Sequence, residues 1–161
     1  MRNAILAIAL LWSGAALAAD KTVSIPPSGD AAVTLTVPQA AKVTTDSGKT
    51  TIDMSKLNVY VWLAPKAKTV DEAVAGIDEI VKSEVKDLKI GETKTIKVTD
   101  ADAKQLMAKS NEADDGDAGT TGIVVFTVGG KVIVACVHGE GEAAARQLQP
   151  MLDILATAKA P

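Results

Sequence analysis

The stretch GIVVFTVGGKVIVACVHGEG, from Gly122 to Gly141, decides the fold of this chain. It contains two apolar runs rich in β-branched residues, 123–128 and 131–137, joined by Gly129-Gly130. A two-residue glycine turn tolerates the positive φ angles that a tight hairpin requires. Both alternating faces of the two runs are apolar, which is typical of strands covered on both sides. The stretch therefore predicts a β-hairpin at the centre of a sheet.

Strand patterns also precede this hairpin. Alternating or continuous apolar residues bounded by turn residues are typical of short strands. A turn at Asp46-Ser47-Gly48-Lys49 divides one of these segments into a second hairpin. The predicted strand segments are Val33 to Pro38, Val43 to Met54, Asn58 to Leu63 and Thr93 to Val98.

An amphipathic helix is predicted between these strand segments, over residues 70–88. Apolar residues recur there every three or four positions, with charged residues between them, which is the period of a helix. Thr69, followed three positions later by Glu72, forms a capping box at the start. A second helix is predicted over residues 142–158, kinked at Pro150. Hairpins and two helices at this spacing predict an α+β fold, a mostly antiparallel sheet packed by a long central helix and a C-terminal helix.

The first 18 residues predict a cleavable signal peptide. Arg2 precedes an uncharged apolar run, and Ala16-Leu17-Ala18 gives the small-x-small pattern at which signal peptidase cleaves. The run is about half the roughly 20 residues that span a membrane. Residues 19–161 then form a single α+β domain, and we expect a soluble protein that is periplasmic or secreted.

Charge excludes two classes of partner. Removing Arg2 with the signal reduces the 17 basic residues to 16, against 20 acidic ones. The basic residues form no cluster, whereas nucleic-acid binding requires a concentrated basic face. We therefore expect no nucleic-acid partner and no attraction to an anionic membrane surface, and no later segment predicts a membrane span.

The stretch Ala113-Asp114-Asp115-Gly116-Asp117, followed by Gly122 to Gly141, resembles bacterial exported proteins with the PsbP-like α/β/α sandwich. That fold is shared by the photosystem subunit PsbP and by a nuclear-import accessory protein that binds the GTPase Ran. The resemblance extends in element order over about residues 22–159. It implies an accessory or binding role, supplies no catalytic motif and no cofactor, and implies a strand at about Gln105 to Ser110, where residue propensities favour helix.

Cys136 and His138 form the first candidate site. They lie two positions apart in a predicted strand and therefore share a face, and a thiolate–imidazole pair is a nucleophilic arrangement. The distance of about 7 Å along the strand is too long for a direct hydrogen bond. Cys136, the only cysteine, lies in an apolar run and is expected in the core, while His138 is kept as a candidate partner-surface residue.

Four acidic residues form the second candidate site, because carboxylates beside a glycine can bind Ca²⁺ through oxygen. Their spacing departs from the EF-hand pattern, and a solvated turn is the alternative. The candidate metal-ligating residues are Glu112, Asp114, Asp115 and Asp117.

Tyr60 and Trp62 are the third candidate. They share one face of a predicted strand and could form a small ligand platform, although a role in the core is the alternative. Together these observations predict a non-enzymatic exported binding or accessory module without a cofactor, whose partner is a periplasmic protein. A Ca²⁺- or metal-responsive protein that uses residues 112–117 is one alternative, and a thiol enzyme that uses Cys136 and His138 is another.

Overall fold

The structure, a computed structural model, describes residues 20–26, 31–114 and 116–161. The predicted signal peptide and Asp115 therefore lie outside the described residues. Nine strands and three helices occur in the described part of the chain. They are β1 Asp20–Ile25, β2 Val33–Pro38, β3 Lys42–Asp46, β4 Lys49–Met54, β5 Leu57–Leu63, α1 Val70–Ala75, α2 Ile77–Val81, β6 Val85–Val98, β7 Ala101–Glu112, β8 Ala118–Val128, β9 Lys131–Gly139 and α3 Ala143–Leu155.

Seven of the strands form one sheet in the order β3-β4-β5-β9-β8-β7-β6, and every neighbouring pair is antiparallel. Strand β9 joins the early strands to the later ones, because it lies between β5 and β8. Strands β1 and β2 form a separate two-stranded sheet. The predicted α+β fold with a mostly antiparallel sheet is confirmed.

Two apolar clusters cover the two faces of the large sheet. Phe126 and its neighbours on one face pack with β1, β2 and α3. Ile123 and Val134 on the other face pack with α1 and α2. Successive residues of a strand point to opposite faces, so β8 and β9, buried throughout residues 121–126 and 132–137, contribute to both clusters. The predicted central, covered hairpin is confirmed, and both turn glycines have positive φ, 55° at Gly129 and 75° at Gly130.

The long central helix predicted over residues 70–88 is wrong. Gly76 divides the segment into α1 and α2, helix α2 ends at Val81, and β6 begins at Val85. The apolar residues that suggested one helix all pack on the same cluster beneath it, Val81 from the helix and Val85 from the strand. The apolar spacing therefore indicated correctly that these residues share one core cluster, but it did not indicate that they form one continuous helix.

The start of α1 follows the prediction in part. The Thr69 hydroxyl accepts the backbone N–H of Glu72 at 3.1 Å, as a capping box requires. The Glu72 carboxylate, however, accepts the N–H of Lys68 at 2.7 Å. The other predicted elements are present: the turn at residues 46–49 joins β3 to β4, residues 105–110 lie in strand β7, and α3 runs through Pro150 without interruption.

No helix of the described residues is both long enough and apolar enough to cross a membrane.

The residues that follow α3 form hydrogen bonds with the small sheet. Thr34 and Lys159 form an antiparallel bridge, with backbone N–H groups donating in both directions at 2.9 and 3.0 Å. The end of the chain therefore fixes β2 against α3.

Candidate functional site

His138 lies at the end of β9 and is held by two hydroxyl groups from neighbouring strands. Its Nδ1 is 2.9 Å from Thr121 Oγ1 and 3.2 Å from Ser110 Oγ, and the two hydroxyl oxygens are 2.6 Å apart. Thr121 is the register partner of His138 on β8, so the sheet itself sets this contact. Both hydroxyl-bearing residues are buried, at 0% and 4% exposure, so Ser110 is a support for the imidazole and is not an accessible nucleophile.

Gly119 leaves the space that the His138 ring occupies. A Cβ at this position would lie 2.8 Å from Nε2 of His138 and 2.7 Å from the carbonyl oxygen of Gly139. Real Cβ atoms essentially never come that close, so any side chain here would displace the ring or the backbone. Glycine is therefore required by the close approach of β8 to the end of β9.

Tyr60 approaches the same region from β5. Burial raises the pKa of its phenol, and the negative charges of Glu112 and Asp114 raise this pKa further, whereas a hydrogen bond with the Asn58 side chain lowers it. Tyr60 in β5 and Glu112 at the end of β7 line a common space.

A cation already lies beside this aromatic ring. Lys49 Nζ is 5.3 Å from the centroid of the Tyr60 ring and forms an ion pair with the half-buried Glu84 carboxylate. An ammonium group over an aromatic face is attracted by the ring quadrupole. Lys49 thereby connects β4 to the turn between α2 and β6.

The common space is a pocket of about 220 Å³ between the turn of β4 and β5, the ends of β7 and β9, and helix α3. Its lining is mainly polar. Its polar lining residues are Asp53, Ser55, Lys56, Asn58, Tyr60, Glu112, His138 and Gln147.

Gln147 has an unusual environment in this pocket wall. Its Nε2 donates to the carbonyl oxygen of Lys56 in a long hydrogen bond of 3.4 Å. Its Oε1 is buried and has no hydrogen-bond partner within the described part of the chain. An unpaired buried acceptor costs about 1–3 kcal/mol, and because this atom is sealed from solvent, it does not take part in the open surface of the pocket.

Trp62 does not join Tyr60 in the pocket, although the two rings lie 6.4 Å apart at an interplanar angle of 39°. Trp62 is 6% exposed and packs on the core cluster beneath α1 and α2. It lines a different groove, of about 660 Å³, between the β3–β4 turn and these helices. The structure thus separates the two aromatic candidates and combines Tyr60 with His138.

Cys136 is buried in the same cluster as Trp62. Burial raises the pKa of its thiol above the ordinary value, because the thiolate would lose its solvation. A protonated, sealed thiol is a poor nucleophile. This agrees with the expected core position of Cys136 and weighs against the thiol-enzyme alternative.

The described acidic residues of the second candidate site, Glu112, Asp114 and Asp117, lie in two different places. Glu112 ends β7 and lines the pocket, whereas Asp114 and Asp117 lie in the connection to β8. Backbone hydrogen bonds close this turn, from Glu112 N to Asp117 O at 2.9 Å and from Gly116 N to Glu112 O at 3.1 Å. Residues 20–26, 31–114 and 116–161 contain no group of three or more His, Cys, Asp or Glu side chains placed to hold a metal. Because Asp115 lies outside these ranges, the calcium site stays a prediction.

The sequence indicated Tyr60 and His138 as candidate ligand- or partner-surface residues and Glu112 as a candidate metal ligand, but it did not indicate that all three line one pocket. It also missed Asn58, Gln147 and the supporting residues Ser110 and Thr121. The available signal was the presence of polar residues at inward positions of otherwise apolar strands. The convergence of these residues depends on the strand order, which places β5 and β7 on either side of the β8–β9 hairpin.

No protein-family model matches the sequence, and no curated protein matches it. Solved structures do match. PsbP of the cyanobacterium Synechocystis sp. PCC 6803 (CyanoP) aligns with a TM-score of 0.57 and 12% identity, over 92% of this chain and 96% of that one. A protein from Bacteroides thetaiotaomicron VPI-5482 aligns with a TM-score of 0.56 and 13% identity, over 83% of this chain. This chain spans about half of the Bacteroides protein, 47% of its length. The chain therefore has a PsbP-like fold.

Proposed function

We propose that this chain is an exported, non-enzymatic accessory protein that binds a periplasmic partner through the polar pocket around His138 and Tyr60. The observation that carries the proposal is the near-complete match to the PsbP fold, which covers 96% of CyanoP. The sequence resemblance implies that proteins of this fold act as accessory or binding subunits. Because fold similarity is an analogy for function, the pocket itself must supply the chemistry.

The chemistry of the site supports binding over catalysis. The thiol of Cys136 and the hydroxyl of Ser110, the nucleophiles nearest His138 in sequence or space, are both buried. The polar groups that line the pocket are carboxyl, amide, phenol, imidazole, hydroxyl and ammonium groups, which form hydrogen bonds with a ligand. Asp53, Asn58, Tyr60, Glu112 and His138 are held on strands of one sheet, and a rigid scaffold favours specific recognition.

Export is part of the proposal and rests on the predicted signal peptide at residues 1–18. Its test is a fusion of the leading 20 residues to alkaline phosphatase, an enzyme that needs disulfides and is therefore active only outside the cytoplasm. We expect activity with the native segment and none when residues 1–18 are deleted. The mature chain should begin at Ala19, or at Asp20 if cleavage follows Ala19.

The binding role is tested by site-specific photocross-linking in bacterial cells that export the full chain. A benzophenone amino acid replaces Lys56, an exposed residue of the pocket rim, and, as a matched control, the exposed Lys131. Lys131 begins β9 and lies about 23 Å along the strand from His138. We expect one discrete cross-linked product at Lys56 and none at Lys131. Equal labelling at both positions, or none at either, would contradict the proposal.

A further inference from the structure

The two-stranded sheet is closed along β2 and open along β1. The C-terminal residues occupy the outer edge of β2, because Thr34 exchanges two backbone hydrogen bonds with Lys159. The N–H and C=O groups of Thr36 both bond to the hydroxyl of Thr157. Among the described strands, β1 pairs with β2 alone. The small sheet therefore has one free edge, and this edge belongs to β1.

The pairing register identifies the backbone groups that this free edge presents. Opposite residues of an antiparallel ladder alternate between pairs that exchange hydrogen bonds and pairs whose N–H and C=O groups point outward. Thr34 and Thr36 direct these groups away from β1. Their register partners are Ser24 and Thr22, which therefore direct theirs away from β2. An added strand would find two N–H donors and two C=O acceptors on these two residues.

A groove of about 590 Å³ lies beside this edge, between β1 and β3. Its apolar lining residues are Val23, Ala41 and Val43, and both Thr22 and Ser24 line it as well. Val23 belongs to the core cluster on the large sheet. An extended segment that pairs with β1 would therefore lie along the groove and cover its apolar residues.

The charge of the groove is positive. Lys21 and Lys42 line it, and no carboxylate does so among the described residues. Lys21 shares the face of Val23, so its ammonium points over the groove, where it donates to the carbonyl oxygen of Ala41. Neither lysine forms an ion pair with a described carboxylate. A strand that covered Lys21 with an apolar or cationic side chain would bury its charge without a partner.

A second copy of β1 does not supply the missing carboxylate. When the apolar faces of two paired copies lie on the same side, Lys21 can face only Lys21, Val23 or Ile25 of the other copy. The Asp20 side chain lies on the opposite face of the strand and is exposed. The charge of Lys21 therefore acts against self-pairing and in favour of a partner with a different sequence.

We infer that the free edge of β1 accepts an extended segment of a partner protein, which joins the small sheet as a third strand and places an acidic side chain opposite Lys21. Main-chain hydrogen bonds give such an added strand its affinity, and alternate side chains give it specificity. The segment carries an apolar residue two positions from its acidic one, because that residue faces Val23. The inference goes beyond the proposed function, since the groove shares no lining residue with the pocket around His138.

The test is titration of ¹⁵N-labelled residues 19–161, which retain every described element, with three capped heptapeptides. The first is acetyl-Thr-Val-Thr-Val-Thr-Glu-Thr-amide, ordered for antiparallel pairing, and Gln or Lys replaces its Glu in the other two. We expect saturable shifts and slowed exchange of the Thr22 and Ser24 amides, with a Kd below about 1 mM for the Glu peptide. The Gln peptide should bind about tenfold more weakly, and the Lys peptide more weakly still.

Two results of this titration would overturn the inference. One is equal affinity for the Glu peptide and either of the other peptides. The other is the absence of saturable shifts at Thr22 and Ser24 up to about 5 mM of the Glu peptide.

Substitutions at Thr22 test the backbone contact. Thr22→Pro removes an N–H group that β2 does not use, so the fold should tolerate it, while the ring obstructs the edge. We expect the Glu peptide to bind at least about tenfold more weakly to this variant. Thr22→Val is the matched control, because it changes the same exposed side chain, keeps the N–H group and should leave the affinity unchanged. Wild-type affinity in the proline variant would contradict strand addition.

A charge reversal tests the contact with Lys21. Lys21→Glu should abolish the preference for the Glu peptide over the Lys peptide, whereas Lys131→Glu, at an exposed position in β9, should preserve it. An undiminished preference in the Lys21 variant would refute the assignment of the acidic side chain. If a variant fails to fold, the peptide series on the unmodified chain decides the inference.

Dilution of the chain without peptide distinguishes a partner from a second copy. We expect the Thr22 and Ser24 signals to be independent of protein concentration, and a dependence would assign the edge to self-pairing and overturn the inference. The cross-linking test of the accessory role is separate. A cross-linked product at Lys56 without peptide binding along β1 would refute only this inference, and the reverse result would refute only the proposed function.

Discussion

The central hairpin β8–β9 and the edge strand β6 of the same sheet have opposite relations to solvent. Residues 121–126 and 132–137 of the hairpin are buried on both faces. In β6, residues 89–95 are exposed on both faces, and Ile90, at 46% exposure, is a large apolar residue in solvent. The comparison shows that antiparallel pairing alone does not make a strand part of the core, because helices and the small sheet must also cover it.

Strand β6 carries features that protect an open sheet edge. Strand β6 is the last strand of the sheet, with lysines along its length and register shifts between Lys86 and Lys89 and between Ile90 and Glu92. Lysines and bulges at an edge discourage pairing with another chain. The β8–β9 hairpin and strand β6 should therefore respond to the same perturbation by very different amounts.

The largest difference should appear in thiol accessibility. Cys136 in β9 is fully buried, so its modification by a soluble thiol reagent requires opening of the fold. We expect modification at least about a thousandfold slower than that of a cysteine placed in β6 by Thr93→Cys in a Cys136→Ala background. Absorbance assays in native buffer and in denaturant give the two rates. Similar native rates would remove the contrast between the β8–β9 hairpin and strand β6.

Side-chain truncation should give the next largest difference. Phe126 in β8 has no exposed surface, and Phe126→Ala removes its packing and leaves a cavity. The expected loss of unfolding free energy is about 3–5 kcal/mol. Ile90→Ala in β6 should change it by less than about 0.5 kcal/mol. Urea unfolding measures both, and a comparable loss in the two variants would show that β6 is buried in solution.

Glycine substitution sharpens the comparison at the level of the backbone. Gly119→Ala places a Cβ against Gly139 and the His138 ring and should cost about 1–3 kcal/mol. Gly91→Ala in β6 meets nothing nearer than 3.6 Å and should be neutral or stabilising by about 0.5 kcal/mol. Thermal unfolding ranks the stabilities of the two variants. In NMR spectra, the His138 ring signals should shift only in the Gly119 variant.

The smallest difference concerns pH. The Lys97 ammonium, 2.7 Å from the Asp102 carboxylate, lowers the pKa of that carboxyl below its ordinary value of 3.8. A lowered pKa in the folded state stabilises the fold fully above the ordinary value, and this contribution is lost as the pH falls through the lowered pKa. Asp102→Asn should reduce the acid dependence of stability slightly. Strands β8 and β9 contain no carboxylate, so the central hairpin makes no contribution of this kind.

The sequence predicted the parts of this fold that depend on local chemistry. Gly129-Gly130 identified the central turn, and Thr69 identified the start of α1, because caps and turns depend on residues a few positions apart. The prediction of one helix over residues 70–88 was wrong because Val85 packs on the same core cluster from strand β6. Apolar spacing alone does not distinguish that arrangement from a continuous helix. The strand at residues 105–110 was expected from family resemblance against its propensity, and tertiary pairing with β6 and β8 explains it.

The pocket was less predictable than the fold. Tyr60, Glu112 and His138 lie far apart along the chain, and no local pattern indicates that β5 and β7 lie on either side of the β8–β9 hairpin. Tyr60 and His138 were singled out as an aromatic and a polar residue of predicted strands, and Glu112 as one of the four acidic residues at positions 112–117. Their convergence depends on strand order, which is a property of the whole sheet.

The position of β9 between β5 and β8 has a consequence for the timing of folding. Strands β3–β5 are synthesised early, but their link to β6–β8 is a strand that ends only at Gly139, and Lys159 is needed to bind β2. Because these contacts join distant parts of the chain, β3–β5 and β6–β8 cannot join into one sheet before β9 has been synthesised. A chain with this strand order therefore completes its large sheet late, and β2 gains its contact with Lys159 later still.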